Sequence, residues 1–389
     1  MSQRLGRNVL VLSAVSLLTD ASSEMIYPLL PVFLSSVLGA GAVAVGALEG
    51  IAQAVSALMQ VLSGQWSDRV ARRKPMIVAG YTLASVLRPL IGLATTVGQV
   101  LAIRVGDRVG KGVRGAPRDA LIAASVGPED RGWAFGFHRA ADHAGAVIGP
   151  LVAFALLSWW GIGVRTVFLL AAIPAALAVA VAVFGVVEVP GIPQGTTRRL
   201  GRVPRGTLAR YLVVLALFTL GNSTDAFLLL RAQEAGVPLA HIPLLWAFLH
   251  VVKSVAATPG GALSDRVGRR PLLLAGWGVY ALVYLGFGFA EAAPAIWALM
   301  ALYGVYHGLT EGTEKALVAD LAGEQEQGWA FGWFNLVLGA SALPASLLFG
   351  ALWDWRGAPV AFGFGAAMAG VAAVLAAVAL PRDAVGDRA

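Results

Sequence analysis

Of the 389 residues 58% are hydrophobic and only 13% charged, where soluble domains run nearer half and a quarter; this excludes an ordinary soluble fold and indicates a membrane chain. There is no cysteine, which excludes disulfides, thiolate metal sites and a cysteine nucleophile. The excess of 29 Lys and Arg over 22 Asp and Glu would suit a nucleic-acid partner, but most of the basic residues fall in short loops, so none is expected.

A spanning helix needs about 20 mainly apolar residues. Arg4 and Arg7 precede an apolar run that outlasts a signal peptide and contains Asp20 and Glu24, so it is read as the first span. The first half then gives spans at 8–36, 42–66, 75–96, 98–125, 131–158 and 164–187. The second gives 208–233, 240–263, 271–290, 293–321, 327–352 and 359–380. The expected fold is an all-α membrane protein of twelve transmembrane helices, with domains 1–188 and 208–389 joined by a linker, 189–207, that carries Pro190, Pro193, Pro204 and four arginines.

Basic loops are retained on the cytoplasmic side. The N-terminus, 67–74, 126–131, the linker, 264–270 and the C-terminus hold nearly all loop Arg and Lys, which predicts cytoplasmic termini. Trp159, Trp160, Trp353 and Trp355 then fall at the outer surface, where indoles anchor spans. The richness in Ala, Gly, Val and Arg suits a high-GC bacterial genome and hence an inner, plasma membrane.

The two halves repeat. Gly64–Pro75 (GQWSDRVARRKP) returns as Gly261–Pro271 (GALSDRVGRRP), Gly132–Gly136 (GWAFG) as Gly328–Gly332, and Thr19–Ala21 as Thr224–Ala226. In transporters built from repeats the substrate site lies near the bilayer midplane, between halves that rock about it.

The hairpin pattern G-x-x-x-D-R-x-G-R-[RK], between spans two and three and again between eight and nine, is similar to that of the major facilitator superfamily, and the resemblance covers the whole chain. It implies two six-helix bundles, alternating access, and a cytoplasmic gate at Gly64, Asp68, Arg69 and Arg73 and at Gly261, Asp265, Arg266 and Arg269. The first copy departs, with Ala71 in place of the second glycine; a simpler reading is that the arginines only enforce topology. In the fifth span Gly136, Gly145, Gly149 and Pro150 resemble the antiporter motif of drug/proton exporters, although Ala153 and Phe154 stand where that pattern has two further glycines. Small residues at this spacing also serve ordinary helix packing.

The fourth span carries Arg104, Asp107, Arg108, Lys111, Arg114, Arg118 and Asp119, which at the helical period fall within an arc of about 140°. Each charge at mid-bilayer costs about 2.5–3.5 kcal/mol against lipid, so this face lines protein or a watery cavity. Arg108, with Gly112 one turn on, matches the superfamily's fourth-helix pattern, whose arginine is associated with proton coupling; Arg114 stands where a second glycine is usual. Low dielectric disfavours an ionised carboxylate and a nearby arginine favours it. An acid whose arginine contact changes between two conformations can therefore carry a proton, and the candidates are Asp20, Glu24, Asp142 and Asp225, with Arg108. Arg104, Lys111, Arg139, His143, His250, Lys253, His307 and Glu311 are expected to line the substrate cavity. A permanent buried network would show the same residues.

No nucleotide-binding loop is present, so neither an enzyme nor a cofactor is expected, and the histidine spacing gives no metal site. The expected function is proton-coupled export of a small polar or charged organic compound. The alternatives are proton-coupled uptake of a polar nutrient such as an organic anion, held by Arg108, Lys111 or Arg139, and export of a metal or metal chelate. The partners are a small-molecule substrate, protons and the bilayer, and a monomer suffices.

Overall fold

The computed structural model describes residues 6–67, 72–127, 131–189, 203–322 and 327–381. Among them every regular element is helical, as expected where lipid leaves backbone groups no other partners. The first half contains α1 (Arg7–Ile26), α2 (Ala42–Ser67), α3 (Lys74–Leu87), α4 (Val97–Ala124), α5 (Arg131–Ser158), α6 (Val164–Leu170) and α7 (Ala172–Gly185). Tighter and wider turns carry α1 on to Val37 and α3 on to Leu93. The second half contains α8 (Gly206–Gly221), α9 (Ala226–Glu234), α10 (Ile242–Val267), α11 (Arg269–Phe289), α12 (Ala293–Ala322), α13 (Gln327–Arg356) and α14 (Ala358–Ala379).

Among the described residues ten segments are long and apolar enough to cross a membrane. The twelve-span expectation thus stands at ten by composition, because α4 and α12, which carry the charged stretches, are not among them. The sixth expected span divides into α6 and α7 at Ala171, where Pro174 has no N–H for the Leu170 carbonyl and Ser22 Oγ donates to Ala171 O at 2.8 Å. The seventh expected span, 208–233, matches the apolar segment Gly206–Glu234, but its helix is not continuous. Asn222–Asp225 interrupt it between α8 and α9, a run of short polar side chains that compete for backbone hydrogen bonds, with Tyr280 Oη donating to Gly221 O and Asn222 Oδ1 at 3.2 and 3.3 Å.

Contacts divide the chain into two compact units, Met1–Gly39 with Ile51–Thr196 and Leu239–Ala247, and Ala40–Gly50 with Thr197–Pro238 and Phe248–Ala389. In the first, α1 packs on α5 and α7, and α3 on α4 and α7; in the second, α8 packs on α13 and α14, and α11 on α12 and α14. Equivalent helices therefore pair equivalently, so the sequence repeat is a repeat of packing. Trp159, Trp160 and Trp355 are exposed as anchors would be, but Trp353 is not among them: it stacks on Phe227 at 5.7 Å.

The base of the first unit is closed by carboxylate and amide clamps. Glu188 accepts from the backbone N–H of Arg73 and Lys74, both at 2.9 Å, at the start of α3, satisfying amides that a helix N-terminus leaves unpaired. Asn8 forms a two-way pair with Val187, donating to its carbonyl and accepting from its N–H, both at 2.9 Å. Glu188→Ala is expected to destabilise the protein by about 1–2 kcal/mol, the scale of a lost cap, and a thermal melt of detergent-purified protein checks it.

Candidate functional site

The charged face of α4 meets α1 and α3. Arg88, in the extension of α3, donates through Nε and Nη2 to Asp107 Oδ1 at 3.1 and 2.8 Å and through Nη1 to Thr19 O at 3.0 Å. Both side chains of this pair are only 3% exposed. Arg104 Nη1 approaches the other Asp107 oxygen at 3.7 Å, and its guanidinium lies 5.9 Å from the Tyr27 ring. Arg114 sits over the Tyr81 ring at 4.2 Å, while Arg118 pairs with Asp119 at 2.9 Å and reaches Ser16 at 3.5 Å. The stripe is thus sorted by burial: Arg104, Asp107 and Arg114 are buried, Arg108, Arg118 and Asp119 half-buried and Lys111 exposed.

On α1, Asp20 and Glu24 are half-buried. Glu24 Oε2 accepts from Trp246 Nε1 at 2.8 Å, and Trp246 also packs against Tyr27 at 5.1 Å. The backbone beside Asp20 is approached by α5 through two glycines. A Cβ on Gly145 would lie 2.5 Å from Leu17 O and 3.0 Å from Asp20 Cβ; one on Gly149 would lie 3.0 Å from the Ala21 carbonyl carbon and Cα. A Cβ at Gly136 would meet nothing within 4 Å, and Pro150 lies inside α5. Further along α5, Asp142 lies 3.7 Å from His138 and 4.0 Å from Arg139, whose side chain is 58% exposed, and His143 is half-buried.

In the second unit, Asp225 follows the break between α8 and α9 and accepts from Tyr303 Oη at 2.6 Å. Around it Phe218, Trp277, Tyr280, Tyr284, Tyr303 and Tyr306 form a buried aromatic cluster. His307 meets the Tyr303 ring edge-on at 4.7 Å. Glu314 accepts from Trp277 Nε1 at 3.2 Å. His250 and Lys253 are half-buried on α10, and exposed Glu311 pairs with Lys315 at 3.2 Å.

Of the hairpin residues, Asp68 and Arg69 lie outside the described residues, as does the Asp265 side chain; Gly64 falls within α2. Arg73 Nη1 donates to Ala120 O at 3.2 Å. Arg269 pairs with Asp320 at 3.3 Å and donates to Ser264 Oγ at 3.0 Å, Arg266 is exposed, and Gly261 is half-buried with open space around it. Gly268 adopts φ +92°, a conformation glycine takes without strain, and Ala71 holds the matching place in the first copy.

A model of the Major Facilitator Superfamily matches residues 12–252 and 211–389. The chain belongs to this superfamily. A similar relative is an uncharacterized MFS-type transporter of Methanocaldococcus jannaschii, 36% identical over 90% of this chain and 89% of its own. Multidrug resistance protein MdtG of Klebsiella pneumoniae is 24% identical over 75% of this chain and 73% of its own. Among solved structures, the crystal structure of a D-xylose-proton symporter superposes with TM-score 0.74 at 17% identity, covering 97% of this chain and 98% of that one. The protein is therefore a multi-pass membrane transporter of the major facilitator fold, not an enzyme, and binds a small-molecule substrate as its superfamily does.

Proposed function

We propose that this transporter is proton-coupled, works by alternating access between the six-helix domains 1–188 and 208–389, and exports a small polar or charged organic compound. All twelve expected spans then cross the bacterial inner membrane, α4 and α12 included, with their charges facing protein or water and both termini cytoplasmic. The observation that carries the reading is the α1 pair, Asp20 and Glu24, placed beside the basic stripe of α4, with Glu24 held by an indole N–H at 2.8 Å. A carboxylate that accepts from a neutral donor can gain and lose a proton without stranding a partner charge. The glycines of α5 set the depth of Asp20, and the likeness to MdtG, which is named for multidrug resistance, supports outward transport. Asp225, bound by Tyr303, is the proton carrier proposed for the second half, with Asp142 and Arg108 completing the coupling groups.

Flux in proteoliposomes tests this. A pH gradient is expected to drive organic cations or zwitterions against their concentration. Asp20→Asn and Glu24→Gln are each expected to cut gradient-driven flux at least about 100-fold, as loss of an essential acid–base group does, while substrate exchange without a gradient persists. Full gradient-driven flux in both variants would remove the α1 acids from the mechanism, and accumulation of an organic anion together with protons would reverse the direction.

A further inference from the structure

The helix α2 has its two ends fixed to different units. Up to Gly50 it belongs to the second unit and from Ile51 to the first. Its opening turns lie against the end of α13 by backbone contact: a Cβ on Gly50 would fall 2.9 Å from Leu343 Cα, one on Gly46 2.9 Å from the Ser346 carbonyl carbon, and one on Gly350 2.8 Å from Val43 Cα. At the end of this run Asp354 takes the place of an N-cap supplied by another helix. Its Oδ1 accepts from Ala42 N at 2.8 Å and its Oδ2 from Val43 N at 3.0 Å. Toward its other end α2 is docked on α4, where Ser63 Oγ donates to Gly112 O at 2.7 Å and a Cβ on Gly112 would lie 3.1 Å from Ser56 O.

The two attachments differ in kind. The glycine crossings bring backbone together with the Leu343 and Phe227 side chains, and the polar attachment at the Ala42 end is the charged clamp: a carboxylate on two amides that the helix itself leaves unpaired, at the positive end of its dipole. Asp354 is exposed, so water can replace the amides when the contact opens. The repeat has no second copy of the device, because the register that aligns Gly132–Gly136 with Gly328–Gly332 places Ser158 opposite Asp354. There the start of α10 is held instead by His241 against Phe154 at 5.5 Å and by Trp246 on Glu24.

We propose that Asp354 is a positioning residue of the transport cycle, a latch that holds the Ala42 end of α2 on the second unit in one state and releases it in the other. This rests on the alternating movement proposed above. Movement of one unit past the other must break one attachment of α2, and the latch is the one built to reform.

The absence of native cysteine makes single-cysteine reporters direct. Ala42→Cys at the latch and Ser63→Cys at the far end start from 7% and 3% exposure, and maleimide labelling of each is followed in the full chain in nanodiscs. Asp354→Asn is expected to speed labelling at Ala42→Cys at least about fivefold, a modest shift in a two-state population, to leave Ser63→Cys unchanged, and to slow transport; Asp354→Glu should restore the native rate. A rise at both reporters would mark a helix that has simply loosened, and overturns the latch. So does an unchanged rate at Ala42→Cys in both Asp354→Asn and Asp354→Ala when the unmutated latch responds to acidic and alkaline buffer, which leaves the alternating movement standing. If neither reporter responds to pH or to any Asp354 variant, the alternating movement falls and the latch with it.

Discussion

Replacing Arg88 by leucine is expected to destabilise this protein by about 3–5 kcal/mol, the penalty of stranding one member of a buried ion pair. Both side chains are 3% exposed, so neither can recover its hydration by a small movement. The guanidinium joins three helices, reaching Asp107 on α4 and Thr19 O on α1 from the end of α3. Its loss leaves a carboxylate whose basic neighbours on the same helix are Arg104, at 3.7 Å and so too far for a strong hydrogen bond, and Arg108, which acts on it through its charge. Asp107→Asn is expected to be worse than Arg88→Leu, because it deprives two buried arginines, Arg88 and Arg104, of their shared counter-charge and leaves Arg88 only neutral acceptors, the amide oxygen and the Thr19 carbonyl. In a melt of detergent-purified protein the losses should appear as a fall of about 5 °C with reduced yield of monodisperse material. Equal melting of Arg88→Leu and the unmodified protein would show that water or other groups compensate the pair.

The span limits, the repeat and the charged stripe of α4 were legible because lipid makes hydropathy and charge placement nearly decisive. The partners within the stripe were not. Asp107 could be seen on the charged face, but its counter-ion lies across the helix crossing in an apolar run where a single arginine, Arg88, was absorbed into the third span. A lone ionisable residue inside a span is itself the signal that would have found it. The break at Asn222–Asp225 was hidden because the strongly apolar flanks of α8 and α9 read through it, although Gly221, Asn222, Ser223, Thr224 and Asp225 are all weak helix formers. Trp246, Glu188 and Asp354 act on atoms far away in the chain, and nothing local distinguishes them. Glu311, expected to line the cavity, pairs instead with Lys315 one helical turn on, a contact that the i,i+4 spacing alone would have suggested.

The second large effect is expected at α5. Gly149→Val should reduce transport at least about tenfold, with the protein still inserted, because a displacement on the scale of 1 Å at a functional group is enough to cost that much. The atoms a Cβ would meet at Gly149 are the carbonyl and Cα of Ala21, backbone that cannot swing aside as the tip of a side chain can. The helices must separate, and Ala21 adjoins Asp20 in the chain, so the carboxylate proposed to carry the proton moves with the displaced backbone. Gly145 makes the same contact one turn earlier, against Leu17 O and Asp20 Cβ, and Gly145→Ala should impair gradient-driven flux more than substrate exchange. Gly136 provides the control. A Cβ there meets nothing within 4 Å, so Gly136→Ala should transport within about twofold of the unmodified protein, since exposed helical Gly→Ala is neutral or mildly stabilising. Flux measured in proteoliposomes at equal protein content separates the three. Equal loss at Gly136 and Gly149 would mean that the glycines of α5 act through a general property of the helix, not through the close approach that places Asp20.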